Sequence, residues 1–235
     1  MVAIFKREMR SYFTGAIGYA FLVLFLAVAG AVFAGTTLFS MSANVTTHFM
    51  LMMVLSGVLL PILTMKSFSE ERKTRTEQLL LTSPVSVTSM VIGKFLAAYA
   101  MFAASVLFTS LYFLLLIPYG NVKAALLIGN IVALLLVGAV FIAIGLFVSS
   151  LTENQLAAAV GTIAIILAFL AIGFISLLLP STYWLRYVLD AISVFNRFGT
   201  FTSGYFDVAS VIYYLSCAAI FLYLTVRVFD RRRYN

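Results

Sequence analysis

Long apolar stretches that contain no Lys, Arg, Asp or Glu recur along the chain. They run over Ile17–Phe39, Phe49–Met65, Phe95–Ile117, Ala124–Val148, Leu156–Leu179 and Val208–Val226. A helix needs about 20 residues, within a range of about 17–25, to cross the hydrocarbon core of a bilayer. Strands of a membrane barrel would alternate apolar and polar residues over about 10 positions, and these stretches do not. The pattern therefore predicts an all-α membrane protein with six transmembrane helices.

The second stretch, Phe49–Met65, is the shortest and contains Pro61. Proline has no N–H to donate, and its ring clashes with the preceding turn of a helix. We therefore expect a kink or a shifted boundary in the second span.

The composition agrees with a lipid environment. Of the 235 residues 63% are apolar and 10% are charged, and the mean hydropathy is +1.12. Soluble domains have about 45–50% apolar and about 25% charged residues, so a soluble globular protein is excluded. Disordered chains, collagen and disulfide scaffolds are excluded by the same figures. We expect residues 1–235 to form a single transmembrane domain.

The basic residues predict the orientation. The chain has 15 Lys and Arg against 8 Asp and Glu, a net charge of +7. Twelve of the basic residues lie on one side of a six-span arrangement: Lys6, Arg7, Arg10, Lys66, Arg72, Lys73, Arg75, Lys94, Arg227, Arg231, Arg232 and Arg233. The other side has Lys123, Arg186 and Arg197. Basic residues accumulate in cytoplasmic loops, so we expect a multi-pass protein of the cell membrane with both termini cytoplasmic. The basic excess then reflects topology, and no nucleic-acid partner is expected.

The segment before the first span predicts an interfacial helix over residues 1–16. On a helix, Phe5, Met9, Tyr12, Phe13 and Ala16 share one side. The basic residues Lys6, Arg7 and Arg10 fall largely on the other side. Such a helix lies on the cytoplasmic leaflet with its apolar face in the lipid. The alternative is that the segment only supplies topogenic charge, and both can hold.

The external segment 180–207 is too long for a tight turn and too aromatic for a solvated loop. Its sequence includes Tyr183, Trp184 and Tyr187, residue types that concentrate at membrane interfaces. We expect short re-entrant helices packed back into the outer leaflet. A vestibule that contacts substrate is the alternative interpretation.

Catalytic chemistry has no candidate residues in this chain. The pair Gly93–Lys94 is followed by Phe95 and lacks the upstream glycine of a phosphate-binding loop. The single histidine, His48, reads as an interfacial residue, and the single cysteine, Cys217, has no partner for a metal site. We therefore expect no enzyme activity, no metal and no cofactor in this chain, so energy for any transport would come from another polypeptide.

The cytoplasmic loop 66–90 is the most polar part of the chain. Connections between neighbouring helices take about 2–8 residues, so a loop of this length is expected to have structure of its own. Its mixed charges, Glu70 to Glu77, precede the apolar Leu79–Leu81. Ser69 is a candidate N-cap, which predicts a short helix that begins at Glu70 and lies across the cytoplasmic surface. This would suit a docking element for a cytosolic partner, and a solvated charged loop is the alternative.

Several segments resemble the type-2 ABC exporter permeases, and most closely the gliding-motility-like (Gld-type) group. The signature loop is similar over Phe68–Lys73 and over Thr76–Val85, and Gly93–Lys94 belongs to the same pattern. The N-terminal Phe5–Phe13 and the entry to the first span at Ile17–Tyr19 are similar as well. Members of the family often have glycine where this chain has Arg75.

The resemblance implies a permease that works with a separate ABC ATPase. It implies two ATPase subunits, which bind the ATP and Mg²⁺, and a second permease copy or a paralogue, and it leaves room for an extracytoplasmic accessory protein. The coupling helix that contacts the ATPase would comprise Glu70, Glu71, Arg72, Lys73, Thr76 and Glu77. The loop with Thr152, Glu153 and Asn154 would be a second contact.

Three functions remain open from the sequence. The leading hypothesis is the permease subunit of an ATP-driven exporter, with the cargo undetermined. The second is a non-transporting membrane anchor or mechanical transmitter that recruits an ATPase to act on an external partner. The third, an ion-coupled carrier or channel, is disfavoured because the predicted spans contain no ionisable side chain at membrane depth.

Overall fold

The described part of the chain is almost entirely helical. The computed structural model describes residues 1–39, 45–76, 86–114, 124–179, 184–202, 204 and 207–234. The helices are α1 (Val2–Thr14), α2 (Ala16–Phe33, extended by a π-helical turn over Ala34–Leu38), α3 (Val45–Lys73), α4 (Val87–Leu114), α5 (Ala124–Leu151), α6 (Gln155–Leu178), α7 (Trp184–Ile192), α8 (Val194–Thr202) and α9 (Val208–Tyr234). No strand occurs within these ranges.

Six of these helices are long and apolar enough to cross a membrane: α2 with its π-helical turn, α3, α4, α5, α6 and α9. The prediction of an all-α chain with six transmembrane helices is confirmed in these terms. The first, fourth, fifth and sixth predicted spans begin within one residue of their helices. The helix of the sixth span, α9, continues past Val226 to Tyr234.

The predicted bounds of the second span were wrong. The helix α3 has 29 residues, extends at both ends beyond Phe49–Met65, and runs through Pro61 without a break. Its last two turns, Lys66–Lys73, are polar. Polar residues that find partners outside the lipid do not end a helix, so the hydropathy pattern marks where the apolar run stops and not where the helix stops.

The third span also begins earlier than predicted. The helix α4 starts at Val87, about two turns before Phe95, so Lys94 lies inside a helix and not at the edge of a loop. Residues 115–117, the end of this predicted span, lie outside the described residues.

The centre of the bundle is α5. In the most apolar window of each spanning helix, 72% of α5 is buried, against 22% for α2 and 22% for α9. It packs against α3, α4, α6, α8 and α9. Helices in lipid approach closely where small residues remove side-chain bulk. A Cβ atom added at Gly145 would lie 2.1 Å from Oγ1 of Thr64, and this glycine therefore allows α3 to touch α5.

Two short helices, α7 and α8, occupy most of the predicted external segment. The helix α8 buries Val194, Phe198 and Phe201 in the bundle. Trp184 and Tyr187 of α7 are exposed, which is compatible with a place at the membrane interface. Tyr183 lies outside the described residues, and the re-entrant placement of these helices stays a prediction.

His48, predicted to be an interfacial residue at the outer edge of the second span, is shielded by the protein. It is buried within α3, and aromatic rings surround it. The imidazole lies 4.9 Å from the ring of Phe113, 5.3 Å from that of Phe49 and 6.2 Å from that of Phe33, each edge to face. The helix begins four residues before the predicted span, and this places the histidine in the bundle interior.

The close contact at Gly145 predicts that two alanine substitutions differ in their effect on the free energy of unfolding. Gly145→Ala should lower the free energy of unfolding by about 1–3 kcal/mol, because α3 must move away from α5. Gly30→Ala is the matched control, since a Cβ atom there meets nothing within 4 Å. The control should leave stability unchanged or slightly higher. Unfolding in detergent micelles measures both, and equal losses would contradict the packing argument.

Candidate functional site

Five helix ends meet at one end of the bundle, which we call the charged end. It contains α1, the last turns of α3 and α5, the first turns of α4, and the end of α9. Arg7 of α1 lies 2.8 Å from Glu71 of α3. The ring of Phe68 in α3 lies 4.7 Å from the ring of Phe229 in α9, and Arg232 donates to the Ser150 carbonyl at 2.7 Å. Both terminal helices of the described chain therefore reach the same end.

A buried ammonium lies at the middle of the charged end. The side chain of Lys94 is 1% exposed. Its Nζ lies 2.9 Å from Oε1 of Glu71 and 3.2 Å from Oε1 of Glu8, and it donates to the Ser67 carbonyl at 2.7 Å. The ring of Phe68 packs against the same ammonium at 4.9 Å. A charge removed from water is tolerated when it is paired and hydrogen-bonded, and Lys94 is both.

The helix α1 contributes a carboxylate to this cluster. Glu8 faces the bundle beside the buried Ile4 and Tyr12, while Lys6 and Arg10 are exposed. Gly93 leaves room for this approach, since a Cβ atom there would lie 3.0 Å from Ile4.

The predicted apolar face of α1 is divided between the bundle and the outside of the protein. Tyr12 is buried, Phe5 and Met9 are half-buried, and Phe13 is exposed. The face towards the bundle is formed by Ile4, Glu8 and Tyr12, at i, i+4 and i+8. The interfacial placement of the helix stays a prediction.

The charge of Glu8 is stabilised by its neighbours. Burial alone would raise the pKa of the Glu8 carboxyl. The Lys94 ammonium and the Arg7 guanidinium, 2.7 Å away, outweigh burial and hold this pKa below its ordinary value of 4.5. The cluster is therefore an ion pair network and not a neutral hydrogen-bonded one.

The prediction of a separate helix beginning at Glu70 was wrong. Glu70–Lys73 form the last turn of α3, and Ser69 is an interior residue of that helix. The Ser69 side chain is fully buried and bonds to Ser149 of α5, so it is not a cap. An N-cap residue is the last non-helical residue before a helix, whereas the residues before Ser69 are already helical.

The end of α3 has an unusual backbone. Arg75 has φ of 57°, in the left-handed region that glycine adopts readily. Hydroxyl groups on either side satisfy the last carbonyls of the helix, since Thr74 donates to Glu70 O at 2.8 Å and Thr76 donates to Glu71 O at 3.3 Å. Glycine would adopt this backbone conformation without the steric cost that Arg75 bears.

The two predicted ATPase-contact segments are neighbours. Arg72 of α3 donates to the Leu151 carbonyl at 2.9 Å and lies 3.0 Å from Glu153. Asn154 caps α6 and accepts from Leu156 N at 2.9 Å. Thr152 accepts from Asn154 N at 3.2 Å. The structure therefore brings Thr152, Glu153 and Asn154 beside the end of α3.

The remaining residues predicted to contact the ATPase differ in their exposure. Lys73 and Thr76 are exposed, whereas Glu71 turns inward to Lys94. Glu70 pairs with Lys66 at 3.0 Å on the surface. Glu77 lies outside the described residues, and so does Leu79–Leu81. Only part of the predicted contact set is thus free to meet another protein.

Two residues of the site, Glu8 and Ser67, were missed from the sequence, and the contacts of Lys94 and Ser149 inside the bundle were not predicted. Glu8 had a signal, since it shares a helical face with Ile4 and Tyr12. Ser67 lines a cavity of about 240 Å³ between α1 and α3, and its buried hydroxyl has no hydrogen-bond partner among the described residues. No group of three or more His, Cys, Asp or Glu within the described ranges could hold a metal ion.

A comparison with known families identifies similar proteins. A family model described as "ABC-2 family transporter protein" matches residues 34–228. No curated protein matches the chain. The matched region includes α3, α4, α5 and α6 in full.

The buried position of Lys94 predicts a large effect of its removal. Lys94→Met removes the buried one of the two cations that Glu8 and Glu71 share, and Arg7 remains beside both carboxylates, so unfolding should become easier by about 1.5–3 kcal/mol. Lys66→Met is the matched control, because Lys66 and Glu70 are 38% and 39% exposed. The control should cost less than about 1 kcal/mol. Unfolding of both variants in nanodiscs tests this, and a similar cost for the two would show that the cluster is not stabilising.

The lowered pKa of Glu8 predicts a loss of stability in acid. The stabilisation from a carboxylate with a depressed pKa is complete above its ordinary value of 4.5 and is lost as the pH falls through the lower folded value. Melting temperatures measured from about pH 6 to about pH 3 should fall more steeply for the wild type than for Glu8→Gln. Parallel curves would mean that Glu8 does not contribute to the acid response.

Proposed function

The chain belongs to the ABC-2 transporter family, and on this premise we propose that it is the permease subunit of an exporter driven by a separate ABC ATPase. It is a multi-pass membrane protein and the membrane component of an ABC transporter. ATP and Mg²⁺ bind in the ATPase, and this chain supplies the path through the membrane. The assembly contains two ATPase subunits and either two copies of this chain or this chain with a paralogue. The Gld-type group is the branch that we favour.

The observation that carries this proposal is the ion pair network at the charged end. Lys94 joins α1, α3 and α4 through Glu8 and Glu71, and Arg72 joins α3 to the turn after α5. A displacement of the end of α3 would therefore also move α1, α4 and the turn after α5. An ATPase that closes on ATP could move the bundle through this end, since packed elements shift as units between discrete arrangements.

The exposed part of the charged end supplies the docking surface. Lys73 and Thr76 are exposed and belong to the segment that resembles the coupling element. Arg72, Glu153 and Asn154 lie beside them. The charged end is on the cytoplasmic side in this proposal, which places both termini in the cytoplasm of a cell membrane and α7 and α8 outside. The direction of transport is outward.

Cysteine crosslinking tests the contact and the orientation together. Cys217 is the single cysteine, so Cys217→Ala gives a cysteine-free background. In that background Lys73→Cys should crosslink to the cognate ABC ATPase, because it lies at the exposed end of α3. Tyr187→Cys on α7 is the matched control, also exposed but at the other end of the bundle, and it should not crosslink.

The same two variants report sidedness. A membrane-impermeant maleimide should label Tyr187→Cys on intact cells and Lys73→Cys only after the cells are opened. Crosslinking at Tyr187→Cys, or labelling of Lys73→Cys on intact cells, would contradict the proposed arrangement.

A further inference from the structure

The hydroxyl of Ser149 occupies an unusual place between α5 and α3. It is fully buried and lies 3.1 Å from Phe68 N and 3.1 Å from Ser69 N. It also donates to the Met65 carbonyl at 3.1 Å. In an α-helix the N–H of Ser69 donates to the carbonyl of Met65, four residues earlier. Ser149 therefore bonds both partners of one step in the hydrogen-bond ladder of α3.

The hydrogen-bonding capacity of these groups is used completely. The single proton of the Ser149 hydroxyl goes to Met65 O, and its lone pairs accept from the N–H groups of Phe68 and Ser69. The Ser69 hydroxyl can then donate to the Ser149 carbonyl at 3.3 Å. Such saturation is expected for a built contact in an apolar interior, where unpaired polar groups are costly. A side chain inserted into the ladder is one of the identifiable causes of helix bending.

The turn before this point is weakened in other ways. Pro61 has no N–H to donate, so one ladder bond is absent. Thr64 directs its hydroxyl back to Leu60 O at 3.3 Å and to Pro61 O at 3.4 Å. Back-bonding of this kind often bends helices. From Pro61 to Ser69, α3 thus depends on contacts with its neighbours as well as on its own backbone.

Beyond this segment the helix regains a firm attachment. The next turn, Glu70–Lys73, is connected through Glu71 to Lys94 and through Arg72 to Glu153. It is the turn to which the proposed function assigns the ATPase contact. A weakened segment therefore separates the membrane-spanning part of α3 from the part that meets the partner.

We infer that Ser149 is a positioning residue that forms a pivot in α3 at Met65–Ser69. The contact turn Glu70–Lys73 tilts about the Ser149 hydroxyl relative to the membrane-spanning part of α3. Both parts of α3 stay helical. The existence of the pivot is a property of this chain alone. Only its use, to transmit movement of the ATPase, rests on the proposed function.

The adjacent serine provides a matched control. Ser150 is equally buried, but its hydroxyl donates to Phe147 O at 2.6 Å within its own helix. Ser149→Ala and Ser150→Ala remove the same atom at neighbouring positions. Only the first removes the hydroxyl that bonds to α3, which leaves the Ser69 N–H and Met65 O to each other.

The pivot is tested on the full chain in nanodiscs without an ATPase. Spin labels at Lys73→Cys and Leu107→Cys, in the Cys217→Ala background, report the distance from the contact turn to the exposed face of α4. The wild type should give a broad distance distribution, which Ser149→Ala narrows or shifts and Ser150→Ala leaves unchanged. An unchanged distribution in Ser149→Ala, or the same change in both variants, would overturn the inference.

A second measurement needs no substitution. In the wild type, amide hydrogens of residues 62–67 in α3, where the Thr64 hydroxyl also bonds ladder carbonyls, should exchange several-fold faster than those of residues 142–147 in α5. Both segments lie inside long helices, so fraying of the helix ends affects neither. Equal exchange in the two segments would argue against a pivot in α3.

The use of the pivot is tested in the complex with the ATPase. Ser149→Ala should lower kcat for ATP hydrolysis by about three- to tenfold, a range typical of residues that transmit coupling. KM for ATP and the amount of co-purified ATPase should stay unchanged, because the nucleotide site lies in the partner. Unchanged kcat in an intact complex would remove the role in transmission. Failure of the wild-type chain to bind the ATPase would contradict the proposed function and leave the spin-label result standing.

Discussion

The neutralisation of one buried ammonium determines how the charged end is put together. Lys94 lies inside α4 and is screened from water, so its charge must be balanced by groups that the fold brings to it. Two carboxylates do so, Glu8 from α1 and Glu71 from α3, with the Ser67 carbonyl as a third acceptor. Each partner fixes the element that supplies it. The first helix is held against the bundle in this way, although it is separated from α2 by a change of direction at Gly15.

A second constraint acts in the membrane interior, where backbone groups have no water to bond. Backbone groups freed there find partners in neighbouring helices, hydroxyl side chains or ordered water. Gly145 of α5 lets α3 and α5 touch, and Ser149, one turn later, bonds the buried amides of Phe68 and Ser69. Both residues face α3, the only helix in the described ranges with an internal proline.

Hydropathy was sufficient to predict the spans but not the site. The six apolar runs follow from the thickness of lipid, and each appears as a helix. Lys94 was placed in a loop because a charge was taken to end a span, whereas a charge that is paired inside the protein does not end the helix. Ser69 was assigned as a cap from local pattern, and its contact with Ser149 overrides that pattern. Both errors arose because side chains that contact these residues are distant in sequence. Glu8 is 86 residues from Lys94, and Ser149 is 80 residues from Ser69.

The last turn of α3 shows why the charged end can act as one unit. Arg75 adopts a left-handed backbone that costs a residue with a side chain about 1–2 kcal/mol. The threonines on either side offset this by bonding the last carbonyls of the helix, which ends the helix directly after Lys73. Because side chains beside the turn bond its last carbonyls, the end of the helix is held in place. In the proposed mechanism a displacement at Lys73 would reach Lys94 through Glu71, and the pivot at Met65–Ser69 would decide how much of it enters the span.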